Sequence, residues 1–549
     1  MKLFWTHSPA ASRCAAAALG GVLLSMAFAP AEMAGAAWIA PGLILFCALG
    51  ATGVPAFRVG FVGGLAHFLS SLYWLLAMPF TWHGIPLAPA LAWFSLSAYC
   101  ALFFGTWVWF CWRIFPANIA TSASSFLDVI DEFLSVPVWK RAVWAILCAT
   151  SWTALEFTRG LFLSGFPWNF LGVSQYRLLP VIQIASFTGV YGVTFLVVWF
   201  SVAIGSAMLV LARKPSVRGV WADAALPLLA LAGIVSFGMG KCLAVPIATR
   251  SLKIALVQPS IPQTLIFDPS ADAQRFQDVI DLSKKALETK PDILAWPESA
   301  IPTLSEDNQH AIGSLLASHP VWLIFCADSS EILSNGAPAI YNSSFLVSPK
   351  GTVETIYHKR RLVIFGEYIP LVRWLPFLRW LSPVGEGFTP GNRSSQFNMP
   401  NLNAKTSTLI CFEDAFPQEA RSHVGPDTDF LINLTNDGWF GDGPEQKQHA
   451  VMAVFRAVEN GVPLVRCTNN GLTCWIDAQG RMREVFQTGS SIYAAGFIAP
   501  EIPLRPAGAE QTFYNRHGDW FSWSCCGVGV LSLALCRRKV SSDSQANVQ

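Results

Sequence analysis

A chain of 549 residues is longer than one hydrophobic core ordinarily organises, and its 13% of charged residues is roughly half the share found in soluble domains. With 53% of residues apolar, the balance points to a membrane protein. A formal net charge of +2 with scattered basic residues excludes a nucleic-acid binder, and thirteen cysteines without a C-x-x-C pair give no disulfide framework.

Seven apolar runs precede residue 245, at about 12–29, 35–53, 56–79, 90–113, 140–163, 182–212 and 220–241, each near the length that crosses a bilayer. Lys2, Arg13, Arg58, Arg113, Lys140, Arg141, Arg213, Lys214 and Arg218 fall on one side of these runs if the N-terminus is cytoplasmic, with Arg177 the exception. An odd number of crossings puts the segment after Lys241 outside. A last run, Trp520 to Leu535, returns the chain to Arg537, Arg538 and Lys539 and gives eight spans with both termini inside. Trp74, Trp82, Trp93, Trp107, Trp109 and Trp112 are expected to anchor at the interface, and Glu156 and Arg159 have the spacing to pair on one helix face.

From about residue 250 the texture changes to strands alternating with helices. Strands are expected at Leu252–Val257, Ile293–Trp296, Val321–Phe325, Tyr341–Val347, Val353–His358, Thr408–Cys411, Phe430–Leu434, Leu464–Cys467 and Thr473–Asp477. Helices are expected at Ala271–Thr289, Ser305–Ser318 and Glu445–Glu459. The expected domains are therefore 1–245 (membrane), 246–515 (α/β) and 516–549 (final span and tail).

Three of the strand ends carry reactive groups: Glu298 after Trp296 and Pro297, Lys359 after His358, and Cys411. The chemistry of the three is coherent. A thiol near pKa 8.5 needs a base, which a carboxylate supplies, and an ammonium both favours thiolate and steadies a tetrahedral oxyanion. Glu298 is then base, Lys359 the oxyanion group and Cys411 nucleophile, with the Phe412 N–H a second oxyanion donor. Glu413, two residues past the thiol, is expected on the same side of an extended chain.

In this order the triad resembles that of the nitrilase superfamily, which implies an α-β-β-α sandwich and makes Glu367 the counter-charge of Lys359. Val257 to Gln263, Trp296 to Pro302, Tyr341-Asn342-Ser343, His358-Lys359 through Leu371, Cys411-Phe412-Glu413, Asn433 to Phe440 and Thr512 to Trp520 add a closer likeness. Together with the spans, they resemble the apolipoprotein N-acyltransferases of the bacterial inner membrane over essentially the whole chain. The resemblance implies a periplasmic catalytic domain, a phospholipid acyl donor (phosphatidylethanolamine), a thioester on the cysteine and a diacylglyceryl apolipoprotein as acceptor. It implies neither cofactor nor metal.

Asn342 is expected to support the triad, Phe267 to stand where the family often has Trp, and Trp439 to line the acyl mouth or cap the sheet. Phe412 replaces the family's usual Tyr, and Ile364-Phe365 the usual Pro-Phe. Leu371 to Leu381 has the spacing of an interfacial amphipathic helix. A membrane-anchored amidase and a transporter with an external lid are the rival classes. The scarcity of charge in the spans speaks against the transporter.

Overall fold

The computed structural model describes residues 10–78, 87–116, 126–213, 217–244, 250–266, 268–301, 304–334, 336–372, 374–377 and 387–546. Contacts divide the chain into two units, Met1–Tyr73 with Leu91–Leu243 and Asp519–Gln549, and Trp74–Ala90 with Ala244–Gly518.

The first unit is helical. Each apolar run holds a helix: Ala10–Ser25, Ala40–Cys47, Val54–Ser71, Ala88–Arg113, Val138–Arg159, Val190–Arg213, Val217–Leu243 and Trp520–Ala546. Among the described residues three helices are long and apolar enough to cross a membrane, Ala88–Arg113, Val190–Arg213 and Val220–Leu243. The pair Leu127–Ser135 and Val138–Arg159, bent by 102°, is a fourth if it is one broken span. The expected eight exceed this because several runs are interrupted. Gly50 and Gly53 turn the chain at positive φ after Cys47, and Gly189 does so before Val190.

Close helix packing accounts for one glycine pair: a Cβ on Gly21 would lie 2.0 Å from the Gly63 carbonyl oxygen, so small residues are required where these helices meet. Trp107 and Trp112 serve packing rather than anchoring, since both are buried and donate to the carbonyls of Cys148 (2.9 Å) and Leu45 (3.1 Å). Trp82 lies outside the described residues.

Glu156 and Arg159 are both buried but are held by different partners instead of each other. Glu156 accepts from the Leu171 N–H at 2.7 Å and the Thr194 hydroxyl at 2.6 Å, while Arg159 donates to the carbonyls of Phe166 and Trp168 at 3.0 and 2.8 Å. The chain beyond the helix folds back over its last turn and satisfies both groups, as buried polar groups require.

The second unit contains two sheets. One runs β12-β1-β2-β3-β4-β5, built from β1 (Ser251–Gln258), β2 (Ile293–Ala295), β3 (Trp322–Ile332), β4 (Pro338–Val347), β5 (Val353–His358) and β12 (Gly496–Ile498), with β13 (Glu501–Pro503) pairing β1. The other runs β11-β10-β9-β8-β7-β6, from β6 (Gln396–Met399), β7 (Ala404–Ile410), β8 (Phe430–Thr435), β9 (Leu464–Thr468), β10 (Cys474–Ile476) and β11 (Met482–Arg483). β1, β2 and β3 are mutually parallel, as are β7, β8 and β9. Parallel strands buried on both faces explain why these segments read as continuous apolar runs.

Alternation along each strand sorts the side chains into layers. Leu252, Ile254, Leu256, Ile293 and Ile324 of the first sheet meet Ile410, Phe430, Ile432, Leu434 and Val465 of the second in one core. On the outer face of the first sheet, Ala255, Leu294 and Leu323 pack on Val279, Ile312 and Leu316 of the helices Asp272–Leu287 and Glu306–Ser318. The helix Glu445–Asn460 lies against β9 on the second sheet. This is the expected four-layer order of helix, sheet, sheet and helix.

Within this unit Trp74 is buried, edge-on to Phe440 with ring centroids 4.5 Å apart, and donates to Gln448 at 3.1 Å. It is a packing residue where an interfacial anchor was expected. The expected helix Leu371–Leu381 is described only at 371, 372 and 374–377, where Leu371, Trp374 and Phe377 are exposed.

Candidate active site

The carboxyl ends of β2, β5, β7 and β8 and the middle of β4 bring the site together. Pro297 ends β2, and Glu298 follows it, 6% exposed. Its Oε1 accepts from Lys359 Nζ at 3.2 Å and from Asn342 Nδ2 at 2.8 Å, and its Oε2 from the backbone N–H of Asn436 at 3.1 Å. Lys359, directly after β5, is 1% exposed and also donates to Glu367 Oε1 at 2.8 Å. Asn342 donates to that same Glu367 oxygen at 3.0 Å, so one ammonium and one amide bridge the same two carboxylates. Glu367 in turn accepts from the Val363 N–H at 2.8 Å, which fixes its loop. Burial alone would lower the Lys359 pKa, but the Glu298 and Glu367 carboxylates outweigh it and hold the lysine well above its usual value.

The loop that carries Lys359 is pinned from outside as well. Gly391 donates to the Lys359 carbonyl at 2.8 Å, and a Cβ on Gly391 would come within 2.2 Å of the His358 carbonyl oxygen. Only glycine allows that approach.

Cys411 directly follows β7 with φ +53, a left-handed backbone that a non-glycine residue adopts at a cost of about 1–2 kcal/mol. The sharp turn starts a 3₁₀ helix, Cys411–Ala415, and Asn433 Nδ2 holds the Cys411 carbonyl at 2.8 Å. The Phe412 N–H lies in the first turn of that helix, where backbone donors have no intrahelical partner. The thiol is within electrostatic reach of Glu298 and Lys359. Burial, with the Glu298 charge added, pushes its pKa well above the usual value against the pull of Lys359. The Lys359 ammonium also lies 5.7 Å from the Phe412 ring centroid.

The turn at Cys411 corrects the expectation for Glu413. Left-handed backbone followed by a 3₁₀ helix breaks the extended alternation that would have put Glu413 beside the thiol. Its buried carboxylate instead accepts from the Tyr357 hydroxyl at 2.9 Å and from the N–H groups of Arg360 (2.7 Å), Arg361 (3.1 Å) and Ile410 (2.8 Å). Glu413 thus ties the lysine loop to the base of the cysteine turn. Burial, with the charge of Glu419, raises its pKa to about 7 against those backbone donors. Trp439 is half-buried on the 3₁₀ turn Asp437–Phe440, and Phe267 lies outside the described residues.

Sequence reasoning missed the second-sheet contribution. Asn436 touches Glu298, and beside it Asp437, with Asp414, encloses His449 and Arg466, all within 2% of complete burial. An arginine inside the apolar strand Leu464–Thr468 was the available signal, since a buried guanidinium demands carboxylates. Asp328, opposite Asn342 on β3, is a further acid, pushed up to about 7 by burial and by the charges of Glu298 and Glu367.

A carboxylate, an ammonium and a thiol at strand ends of a four-layer sandwich define a nitrilase-type domain, and residues 253–494 match the carbon-nitrogen hydrolase family. Residues 20–203 match the apolipoprotein N-acyltransferase N-terminal domain. The chain is 35% identical over 535 residues to an apolipoprotein N-acyltransferase of Geobacter metallireducens, with 95% of each chain covered. It is 29% identical to that of Brucella suis, with 85% of this chain and 82% of the other covered. It is 30% identical to that of Rhodopseudomonas palustris, with 96% and 95% covered. The chain belongs to the apolipoprotein N-acyltransferase family, and is thereby an acyltransferase with a membrane-associated helical part.

Proposed function

We propose that this protein moves a fatty acyl chain from a phospholipid, phosphatidylethanolamine foremost, to the α-amine of the diacylglyceryl-cysteine that begins an apolipoprotein. The observation that carries this reading is the buried Glu298–Lys359–Glu367 cluster beside a thiol whose own pKa is high. A thiol that stays protonated at rest needs a base at the moment of attack.

Glu298 takes the Cys411 proton as sulfur bonds to the ester carbonyl carbon. The oxyanion is met by the Lys359 ammonium and the Phe412 N–H. Collapse breaks the ester C–O bond, Glu298 returns the proton to the departing lysophospholipid oxygen, and the acyl chain remains as a thioester. In the second half the acceptor amine attacks the thioester, its proton passes to Glu298, and the amide leaves as the Cys411 thiol is restored. Glu367, Asn342 and Glu413 hold these groups in place. Trp439, and Phe267 on the sequence resemblance alone, border the acyl chain.

The same reading gives eight spans, a membrane domain over 1–245, a periplasmic catalytic domain over 246–515 and a final span within 516–549, with both termini cytoplasmic. It keeps donor, acceptor anchor and thioester in or near the lipid and water away from the thioester. The test is incubation with acyl-labelled phosphatidylethanolamine followed by a diacylglyceryl peptide. A hydroxylamine-labile label on Cys411 that chases into the peptide is expected, and neither should occur with Cys411→Ser. Normal transfer by Cys411→Ser, or ammonia release from a small amide without acyl transfer, would overturn the reading.

A further inference from the structure

Asp414 and Asp437 each face the same two cations. His449 Nε2 donates to Asp414 Oδ1 at 2.6 Å and Nδ1 to Asp437 Oδ1 at 2.8 Å. Arg466 Nη1 donates to Asp414 Oδ2, and Nη2 to Asp437 Oδ2 at 3.2 Å. The four side chains close a ring in which none is more than 2% exposed. Both imidazole nitrogens meet carboxylate oxygens, so both must carry protons. Two anions and two cations then balance inside a dry interior, where an unmatched charge would be costly. Asp437, Glu445 and His449 also bring ligand atoms within 4.8 Å of one another, but a doubly protonated imidazole has no lone pair for a cation.

The ring's corners are informative. Asp414 lies three residues after Cys411 on the same 3₁₀ helix, and Asp437 directly follows Asn436, whose N–H holds Glu298 Oε2. His449 stands on the helix Glu445–Asn460 and Arg466 on β9. The ring therefore links the turn that presents the thiol to the turn that grips the base, and anchors both to two rigid elements. The Thr435 hydroxyl adds a further bond to Asp437 at 2.8 Å.

We propose that the Asp414–His449–Asp437–Arg466 ring is a positioning device for acyl-enzyme formation, setting the thiol of Cys411 against the Glu298 carboxylate without touching substrate. The proposal rests on the roles given above to Cys411 and Glu298. His449→Gln leaves two aspartates against one arginine, Asp414→Asn leaves the opposite imbalance, and the double variant restores charge neutrality.

Two readouts test it. Cys411 alkylation by iodoacetamide, followed by mass spectrometry, needs no lipid. It should slow at least fivefold in each single variant, because a thiol displaced from Lys359 loses its cation, and should recover in the double variant. With phosphatidylethanolamine, each single variant should lose at least tenfold in kcat with KM unchanged, again with recovery in the double. Thr435→Val, a milder change, should fold as wild type and lose kcat severalfold. Wild-type alkylation and kcat in correctly folded single variants, or additive losses in the double variant, would overturn the proposal. Should the single variants not fold, wild-type alkylation and kcat in Thr435→Val would overturn it. Absence of acylation in the wild type itself would instead strike the proposed function, and the alkylation result would still judge the ring.

Discussion

Replacing Asn342 by leucine keeps the branched skeleton of the side chain, adds apolar bulk and removes one donor from each of two carboxylates. The amide bonds are 2.8 Å to Glu298 Oε1 and 3.0 Å to Glu367 Oε1, and both oxygens keep the Lys359 ammonium. Neither acceptor is orphaned, so the loss is that of two bonds to charged groups, roughly 1.5–3 kcal/mol each, reduced by the apolar burial that leucine gains. A net cost of about 2–4 kcal/mol corresponds to a fall in melting temperature of roughly 5–10 °C. Glu298 keeps only its longer contacts, 3.2 Å to Lys359 and 3.1 Å to the Asn436 N–H. A base so loosened should cost on the order of tenfold to a hundredfold in acylation rate. Single-turnover formation of the acyl-Cys411 species, read by mass spectrometry beside thermal unfolding in detergent, measures both. Asn342→Asp should fail similarly at pH 8 and recover in part as pH falls, because a third carboxyl among two carboxylates holds its proton and can then donate as the amide did. Acylation at the wild-type rate by Asn342→Leu would refute this account of how the base is held.

Glu413→Gln should slow acyl-enzyme formation at least tenfold. One amide oxygen cannot serve both the Arg360 and Ile410 N–H groups, and its NH₂ must face a donor. Since burial raises this carboxyl to about 7, wild type and variant are both neutral there below that pH, and a deficit that comes from geometry should persist at pH 6 in a pH–rate series. His449, set among Asp414, Asp437, Arg466 and Glu445, has its pKa raised to about 10, because the two aspartates outweigh burial. Its stabilising contribution is complete below the ordinary 6.5 and is lost as pH rises toward 10, with a slope of up to about 1.4 kcal/mol per pH unit. Denaturant unfolding between pH 7.5 and 9.5 should show this decline in the wild type and a shallower one in His449→Gln. Equal slopes would contradict the charged ring.

The strand ends that carry Glu298 and Cys411 were legible because each follows a short apolar run, and the one that carries Lys359 because β-branched and aromatic residues fill Val353–His358. β5 was delimited to the residue, and Pro297 marked the exit from β2. Glu413 was misplaced because nothing in Ile410-Cys411-Phe412 announces a positive φ. The strain is fixed by tertiary contacts such as the Asn433 amide on the Cys411 carbonyl. The ring of Asp414, Asp437, His449 and Arg466 joins residues up to 52 positions apart, and of its members only Arg466, set in an apolar strand, stands out from an ordinary polar residue in the sequence. Strands β6, β11, β12 and β13, each of four residues or fewer, were overlooked, whereas the equally short β2 and β10 were found within the longer segments Ile293–Trp296 and Thr473–Asp477. In the helical unit, hydropathy located the helices of the apolar runs but neither the helix Leu127–Ser135 nor the breaks that depend on glycine conformations at 50, 53 and 189.

The bridging of two carboxylates by a single lysine has a consequence for the whole cycle. Glu298, Glu367 and Lys359 together carry one net negative charge, and the resting thiol adds none. In the mechanism proposed above, when the proton moves from sulfur to Glu298 the excess electron density only changes address, from carboxylate to thiolate and then to the carbonyl oxygen. The total inside the pocket is the same in the resting enzyme, the tetrahedral species and the thioester. A pocket that never has to take up or expel a net ion can exchange a lipid for a lipopeptide without admitting bulk water to stabilise charge. For the proposed transfer between two membrane-borne substrates, that constancy would keep the charge of the pocket the same whichever substrate occupies it.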